Sequence, residues 1–348
     1  VKFGQVPIEE AVGALAAHSV RAGETIVKKG TLVTAEIAGR LKEAGVETLI
    51  AARFEPGDIA EDDAAFRLAR ALAGDDVAVE DPFTGRSNLY AETAGVLVID
   101  VDAVHGLNAV DEAMTAATLP AYKPVVAGEM VGTVKIIPYA IPEVLLQKGI
   151  ARAGDGALRI APYRRHAIGV VSTVLPGLKP SVVDKTLAVL GRRLEPAQAR
   201  ITQDHRVPHE AAPLAEELAL LARGDAELIV IFGASAIADR RDVIPSAIEM
   251  AGGRVEHFGM PVDPGNLLLV GSIGGKPVIG APGCARSPKE NGFDWILHRL
   301  LANVPVTRAD IMSLGVGGLL MEIVSRPQPR AGGESAGWTD VDPGEKVE

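Results

Sequence analysis

The sequence predicts an α/β protein: a doubly wound, mainly parallel sheet in the C-terminal half, preceded by a mixed α+β N-terminal half. Three observations predict it. From His166 onward, short β-branched runs alternate with helical periodicity, the pattern of βα units feeding a parallel sheet. The run Glu227–Phe232 (ELIVIF) is apolar and short, as a strand covered on both faces is. Before about Gly149, helix and strand patterns mix and no fixed-period repeat is visible. The expected division is residues 1–150, then 160–325, then a tail at 326–348.

Taken in order, 34–44 (TAEIAGRLKEA) is a short amphipathic helix with Ile37, Leu41 and Ala44 inward, Thr34 as N-cap and Gly45 as its stop. A strand is expected at 47–51, a helix at 62–72 ended by Gly74, and strands at 95–101 and 131–137. Gly149, Gly154 and Gly156 mark 147–160 as an expected hinge between domains. In the second half, 167–173 (AIGVVST) reads as a strand, and a helix starts at Pro180, with proline in its first turn. A helix is expected over 208–223, a strand over 227–232, and a helix over 242–250 stopped by Gly252 and Gly253. Strands at 267–270 and 277–279 flank a Gly274–Gly275 turn, and 293–301 is the last helix. The tail from Arg326 is rich in Pro, Gly and acids, the composition of a disordered terminus.

Composition excludes several function classes. With 35 Lys+Arg against 45 Asp+Glu, the formal charge of −10 argues against broad nucleic-acid backbone binding, which needs a basic footprint. No apolar run approaches the ~18–20 residues of a membrane-spanning helix, and no leader pattern is visible at the start. The single cysteine, Cys284, makes neither an intramolecular disulfide nor a thiolate zinc cage, so a reducing, cytoplasmic compartment is expected.

The densest chemistry lies in 229–245 (IVIFGASAIADRRDVIP), where a strand runs through the small-residue turn Gly233-Ala234-Ser235 into a helix. Small residues let backbone approach a ligand, and a helix N-terminus offers free N–H donors and partial positive charge. Arg240 and Arg241 add two cations suited to a phosphate or carboxylate. Asp242 reads either as a helix cap or as a metal ligand, and the turn itself either as an anion site or as an ordinary βα connection. Two proline-stiffened loops, with Asp263, Pro264, Gly265 and Asn266 in one and Pro282, Gly283, Arg286 and Ser287 in the other, suit the walls of a rigid ligand; simple turn chemistry explains them too. The seven histidines are scattered. His205 and His209 share an i, i+4 spacing, but Pro208 between them argues that a helix begins there, against a histidine metal site.

These motifs resemble a known family. Over residues 166–305 the chain is similar to the molybdenum-cofactor biosynthesis domain shared by molybdopterin adenylyltransferases and molybdopterin molybdenumtransferases. The matching stretches are Gly233-Ala234-Ser235, Arg241-Asp242-Val243-Ile244-Pro245, Asp184-Lys185-Thr186, Pro264-Gly265, Gly275-Lys276-Pro277-Val278, and Gly280-Ala281-Pro282-Gly283 with Ser287 beyond. In the first half, Lys29-Gly30-Thr31-Leu32, Ala44-Gly45-Val46 and 128–137 (GEMVGTVKII) resemble pieces of the molybdenumtransferase non-catalytic domains. The whole chain most resembles stand-alone molybdopterin-binding proteins. The resemblance implies a small pterin ligand, molybdopterin or its adenylylated form. It places the ligand's phosphate on Gly233, Ala234, Ser235, Arg240 and Arg241, and its pterin ring between the 263–266 and 282–287 loops. It implies Asp184 and Asp242 as catalytic carboxylates holding Mg²⁺ or molybdate, a homodimer, and other molybdenum-cofactor proteins as partners.

Two departures bear on activity. Ala234 stands where the family has its second turn glycine, and Ser172-Thr173-Val174-Leu175 carries no acid where the transferases have one. Transferase and non-catalytic carrier or sensor of the finished cofactor therefore stand side by side as expectations. A third reading is a serine hydrolase: Ser235 sits between strand and helix as in a nucleophile elbow, with Asp263 and His298 following in order.

Overall fold

The computed structural model describes residues 1–320. The expected tail at 326–348 lies outside them. Among the described residues the chain is a mixed α/β protein with several sheets, and no helix is long and apolar enough to cross a membrane.

The first half is built from small antiparallel sheets. Lys2–Pro7, Thr48–Arg53 and Leu15–Ala16 form one. The helix Ala35–Glu43 closes a small core with it, burying Ala38 and Leu41 beside Ile8, Leu49 and Ala51. Thr34 caps that helix, its hydroxyl accepting from Ile37 N at 3.2 Å, and Gly45 follows in the left-handed region at φ +81°. A four-stranded sheet (Met114–Thr118, Met130–Ile136, Arg86–Ala91, Val77–Val79) packs on the helix Glu61–Leu72 through Leu68, Leu72, Leu89 and Val134.

Two expectations change in this half. The strand at 95–101 stops at Ile99; Asp100 accepts a hydrogen bond from Ala103 N at 3.0 Å and caps a helix, Val101–Asn108. The hinge at 147–160 is instead the helix Glu143–Ala153 followed by the strand Leu158–Pro162, which pairs with Gly95–Ile99. Gly154, at φ +72°, caps that helix, and the other two glycines sit at close contacts. A Cβ on Gly149 would lie 3.0 Å from Met114 Sδ, and one on Gly156 would lie 2.9 Å from the Gly74 backbone.

The second half centres on a six-stranded sheet ordered Arg200–Pro208, Ala167–Val174, Leu228–Phe232, Lys276–Ala281, Leu269–Ile273, Arg254–Phe258. The first four strands are mutually parallel and the remaining two pairings are antiparallel. Alternation along each strand divides the core. Val170, Val230 and Phe232 pack with Leu190 and Leu194 of the helix Pro180–Leu194 and with Phe293, Ile296 and Leu297 of the helix Gly292–Leu301. Val171, Ile229 and Ile231 pack with Leu214 and Leu218 of the helix Ala211–Arg223 and with Ile244 and Ile248 of the helix Val243–Met250. Glu227 pins the entry to the sheet by accepting from His166 N at 2.6 Å and Ala167 N at 2.9 Å. Burial works against that carboxylate, but the two backbone donors win and hold it below its ordinary range.

The helix expected at 208–223 starts three residues later, because Pro208 ends the strand Arg200–Pro208. That strand lies at the sheet's edge with alternating exposure, so it lacks the apolar run that marks its neighbours.

His298 lies buried, with its Nδ1 2.8 Å from Tyr163 Oη. Burial pushes its imidazole below the ordinary 6.5, with the positive charge of Arg193 acting the same way. Above about pH 6.5 both folded and unfolded states hold it neutral; as pH falls below that, the unfolded chain takes up the proton first and the fold loses stability. The slope from this one group approaches about 1.4 kcal/mol per pH unit and ends below the folded pKa. Denaturation midpoints of His298→Gln, measured across pH 7 to 5, should lack that segment of the acid limb; an identical slope in the variant would refute the assignment.

Candidate functional site

Parallel strands deliver their connecting loops to one edge, where ligands of such sheets sit. The strands ending at Val174, Pro208, Phe232 and Ala281 point the loops 175–179, 209–210, 233–242 and 282–291 to the same edge. Most of the residues expected in the site therefore share that edge, although they span more than a hundred positions of sequence.

Arg286 ties the edge together. It sits on the short 3-10 turn Gly283–Arg286, and its guanidinium donates to Gly233 O at 2.7 Å and to Thr186 Oγ1 at 3.2 Å. The group lies 5.7 Å from the centroid of the Phe232 ring, and burial lowers its pKa from the ordinary arginine value. Gly233 is required by space: a Cβ there would come within 2.7 Å of Ser235 O and 2.8 Å of Ile244 Cδ1.

A second cluster braces the turn from the other side. Thr173 Oγ1 accepts from Ala234 N at 2.8 Å and lies 2.8 Å from His209 Nδ1; His209 Nε2 lies 2.9 Å from Ser235 Oγ. His209 is held by its own backbone N–H, which donates to Val174 O at 3.1 Å. Sequence reading alone passes over Thr173 and argues against His209 as a ligand, because nothing in their spacing shows that adjacent parallel strands end side by side.

Other expected residues have duties already. Asp242 caps the helix Val243–Met250: Oδ1 accepts from Val243 N at 2.7 Å and Oδ2 from Ala238 N at 3.0 Å. Asp184 accepts from Arg206 Nη2 at 2.7 Å. Arg241 is exposed and pairs with Asp239 at 2.8 Å, and Arg240 is exposed. Among the described residues, no group of three or more His, Cys, Asp or Glu side chains is placed to hold a metal ion. Asp242→Ala should cost about 0.5–2 kcal/mol in thermal or urea unfolding, and Asp242→Asn less, because asparagine keeps the acceptor for Val243 N but has no second oxygen for Ala238 N. Equal damage from both substitutions, appearing only with Mg²⁺ present, would instead mark Asp242 as a metal ligand.

The 263–266 loop is fixed by backbone. Asp263 N donates to Gly318 O at 2.8 Å, Asp263 O accepts from Leu320 N at 2.9 Å, and the Asp263–Pro264 peptide is cis. Pro264 O accepts from Gly292 N at 2.9 Å, and Asn266 O from Met260 N at 2.9 Å. Gly265, at φ +144°, packs so closely that a Cβ would meet the Gly292 backbone at 2.9 Å. Ser287 O accepts from Arg193 at 2.7 Å. The triad suggested by chain order is not assembled as expected: His298 is engaged by Tyr163, and the histidine that reaches Ser235 is His209.

The fold and this edge define a mixed α/β protein with a hydrogen-bonded cluster of Thr173, His209, Ser235 and Arg286 at the carboxyl ends of parallel strands. Comparison with known proteins adds little. A family model described as a domain of unknown function (DUF8806) matches residues 5–53. No curated protein matches. Among solved structures, the chain is similar to the molybdopterin biosynthesis moea protein from Pyrococcus horikosii, with 15% identity, 87% of this chain and 75% of that chain covered, and a TM-score of 0.32. It is also similar to a molybdenum cofactor biosynthesis protein B, with 15% identity, 40% of this chain and 96% of that chain covered, and a TM-score of 0.30.

Proposed function

We propose that this protein binds a phosphorylated pterin, molybdopterin or its adenylylated form, at the carboxyl edge of the six-stranded sheet, as a binding component of molybdenum-cofactor biosynthesis. The observation that carries the reading is the bracing of the Gly233-Ala234-Ser235 turn from both sides, by Arg286 and by Thr173 with His209. A turn held this firmly, with an exposed serine hydroxyl, suits a phosphate. The ordered motifs over 166–305 supply the pterin. We read the sheet and its two helix pairs as a doubly wound domain, and place its join to the first half near residues 163–166.

Custody of the ligand fits better than metal-assisted transfer. Both Asp242 oxygens are spent on backbone donors, and Asp184 is paired with Arg206. Mg²⁺ and molybdate would then act at a partner's site, and dimerisation remains a proposal from the resemblance. Titration of the purified protein with released molybdopterin, followed by pterin fluorescence, tests the reading. Micromolar or tighter binding that weakens in an Arg240/Arg241 double alanine variant is expected. Absence of binding by folded protein removes the function proposed.

The Ser235–His209 contact favours one rival, a hydrolase in which His209 serves as base. That role needs Nε2 as an acceptor, and ester hydrolysis abolished by Ser235→Ala would establish it.

A further inference from the structure

We infer that His209 is a positioning residue: it holds the neutral Nε2–H tautomer, donates to Ser235 Oγ, and so turns the Ser235 hydroxyl hydrogen outward as a donor to a phosphate oxygen. The ligand half of this inference rests on the phosphate reading above; the polarity half rests on hydrogen counting alone.

The Thr173 side chain is buried, at 2% exposure. Its Oγ1 accepts from the Ala234 N–H, which has no other role in that contact, since a backbone nitrogen only donates. Among the described residues its other side-chain partner is His209 Nδ1, at 2.8 Å. Suppose Nδ1 carried the ring proton. Thr173 Oγ1 would then accept twice, and its own hydrogen would have no acceptor inside the fold. Leaving a buried donor unmatched costs about 1–3 kcal/mol. With the opposite polarity every atom is matched: Thr173 donates to Nδ1, the ring proton sits on Nε2, and Nε2–H donates to Ser235 Oγ at 2.9 Å. The direction of the whole chain is set by one backbone N–H, that of Ala234.

The consequence for Ser235 is chemical. A hydroxyl that accepts from Nε2–H keeps its own hydrogen for an outside acceptor, and Ser235 is exposed. An oxyanion of a phosphate is the acceptor that gains most from such a donor. The same polarity denies Ser235 a general base, because the ring nitrogen facing it already carries a proton. His209 thus suits the serine for binding and not for nucleophilic attack.

The test combines a tautomer measurement with a ligand probe. Long-range ¹H–¹⁵N spectra of the full chain, with His209 assigned through loss of its signals in His209→Gln, should show the Nε2–H tautomer. Inorganic phosphate is then titrated into wild type, Ser235→Ala, His209→Asn and His209→Gln. A glutamine amide reaches the Nε2 position and an asparagine amide the Nδ1 position. His209→Gln should therefore stay within about threefold of wild type, while His209→Asn and Ser235→Ala each lose about tenfold, as expected for one charge-assisted hydrogen bond. The double variant that combines His209→Asn with Ser235→Ala should lose no more than either single change. An Nδ1–H tautomer overturns the inference and supports the hydrolase. An Nε2–H tautomer with undiminished phosphate binding by Ser235→Ala also overturns it, while leaving phosphate binding by the protein in place. No phosphate binding by wild type overturns the ligand half, the molybdopterin titration decides the proposed function separately, and the tautomer still decides the polarity.

Discussion

Arg193→Ala is expected to cost about 3–5 kcal/mol of folding stability, the largest effect of any single substitution considered for this chain. Arg193 projects from the helix Pro180–Leu194 into a pocket of acceptors. Its Nε donates to Asp294, Nη1 to Ala285 O at 2.9 Å, and Nη2 to Ser287 O at 2.7 Å and Lys289 O at 3.1 Å. The Arg193 and Asp294 side chains are only 8% and 14% exposed. Truncation leaves the poorly solvated Asp294 carboxylate with Asn291 N as its donor, takes the Arg193 donors from Ala285 O and Ser287 O, and opens a cavity beside the Phe293 ring, whose centroid lies 5.8 Å from the guanidinium. Lysine should restore less than half of the loss, because one ammonium cannot reproduce a planar fork serving four acceptors. Urea denaturation of the three proteins measures this. A loss under about 1 kcal/mol for the alanine variant would show that water replaces these bonds freely.

Arg286→Ala should act mainly on ligand binding. Removing the guanidinium leaves Gly233 O without its side-chain donor, at a stability cost of about 1–3 kcal/mol. The turn it braces is the one proposed to meet the phosphate, and each lost hydrogen bond to a charged group costs about 1.5–3 kcal/mol. An affinity loss for molybdopterin of about 10- to 100-fold is therefore expected. Arg286→Lys should recover only part of it, since lysine retains the charge but cannot span Gly233 O and Thr186 Oγ1 together. Affinity unchanged in Arg286→Ala, with the protein folded, would move the ligand away from this edge.

Elements whose causes are local can be read along the chain. Thr34 is legible as a cap because a cap is fixed by residues within one turn; Asp242 reads from sequence as a cap or a metal ligand alike. Leu228–Phe232 was legible as a buried strand because burial on both faces demands an unbroken apolar run. The small-residue turn at 233–235 followed from its place between that strand and a helix. Where an element's reason lay elsewhere in the chain, the pattern misled. Gly149 reads as a hinge from sequence, yet it lies inside the helix Glu143–Ala153, against Met114. The strand Arg200–Pro208 was hidden because an edge strand needs no continuous apolar run. Only the tertiary structure decided who meets whom at the sheet's edge. Thr173, His209, Ser235 and Arg286 belong to four separate stretches of chain, and it is the parallel pairing of their strands that brings those stretches together. Strand order is set by packing summed over the whole core, and no window of sequence contains it.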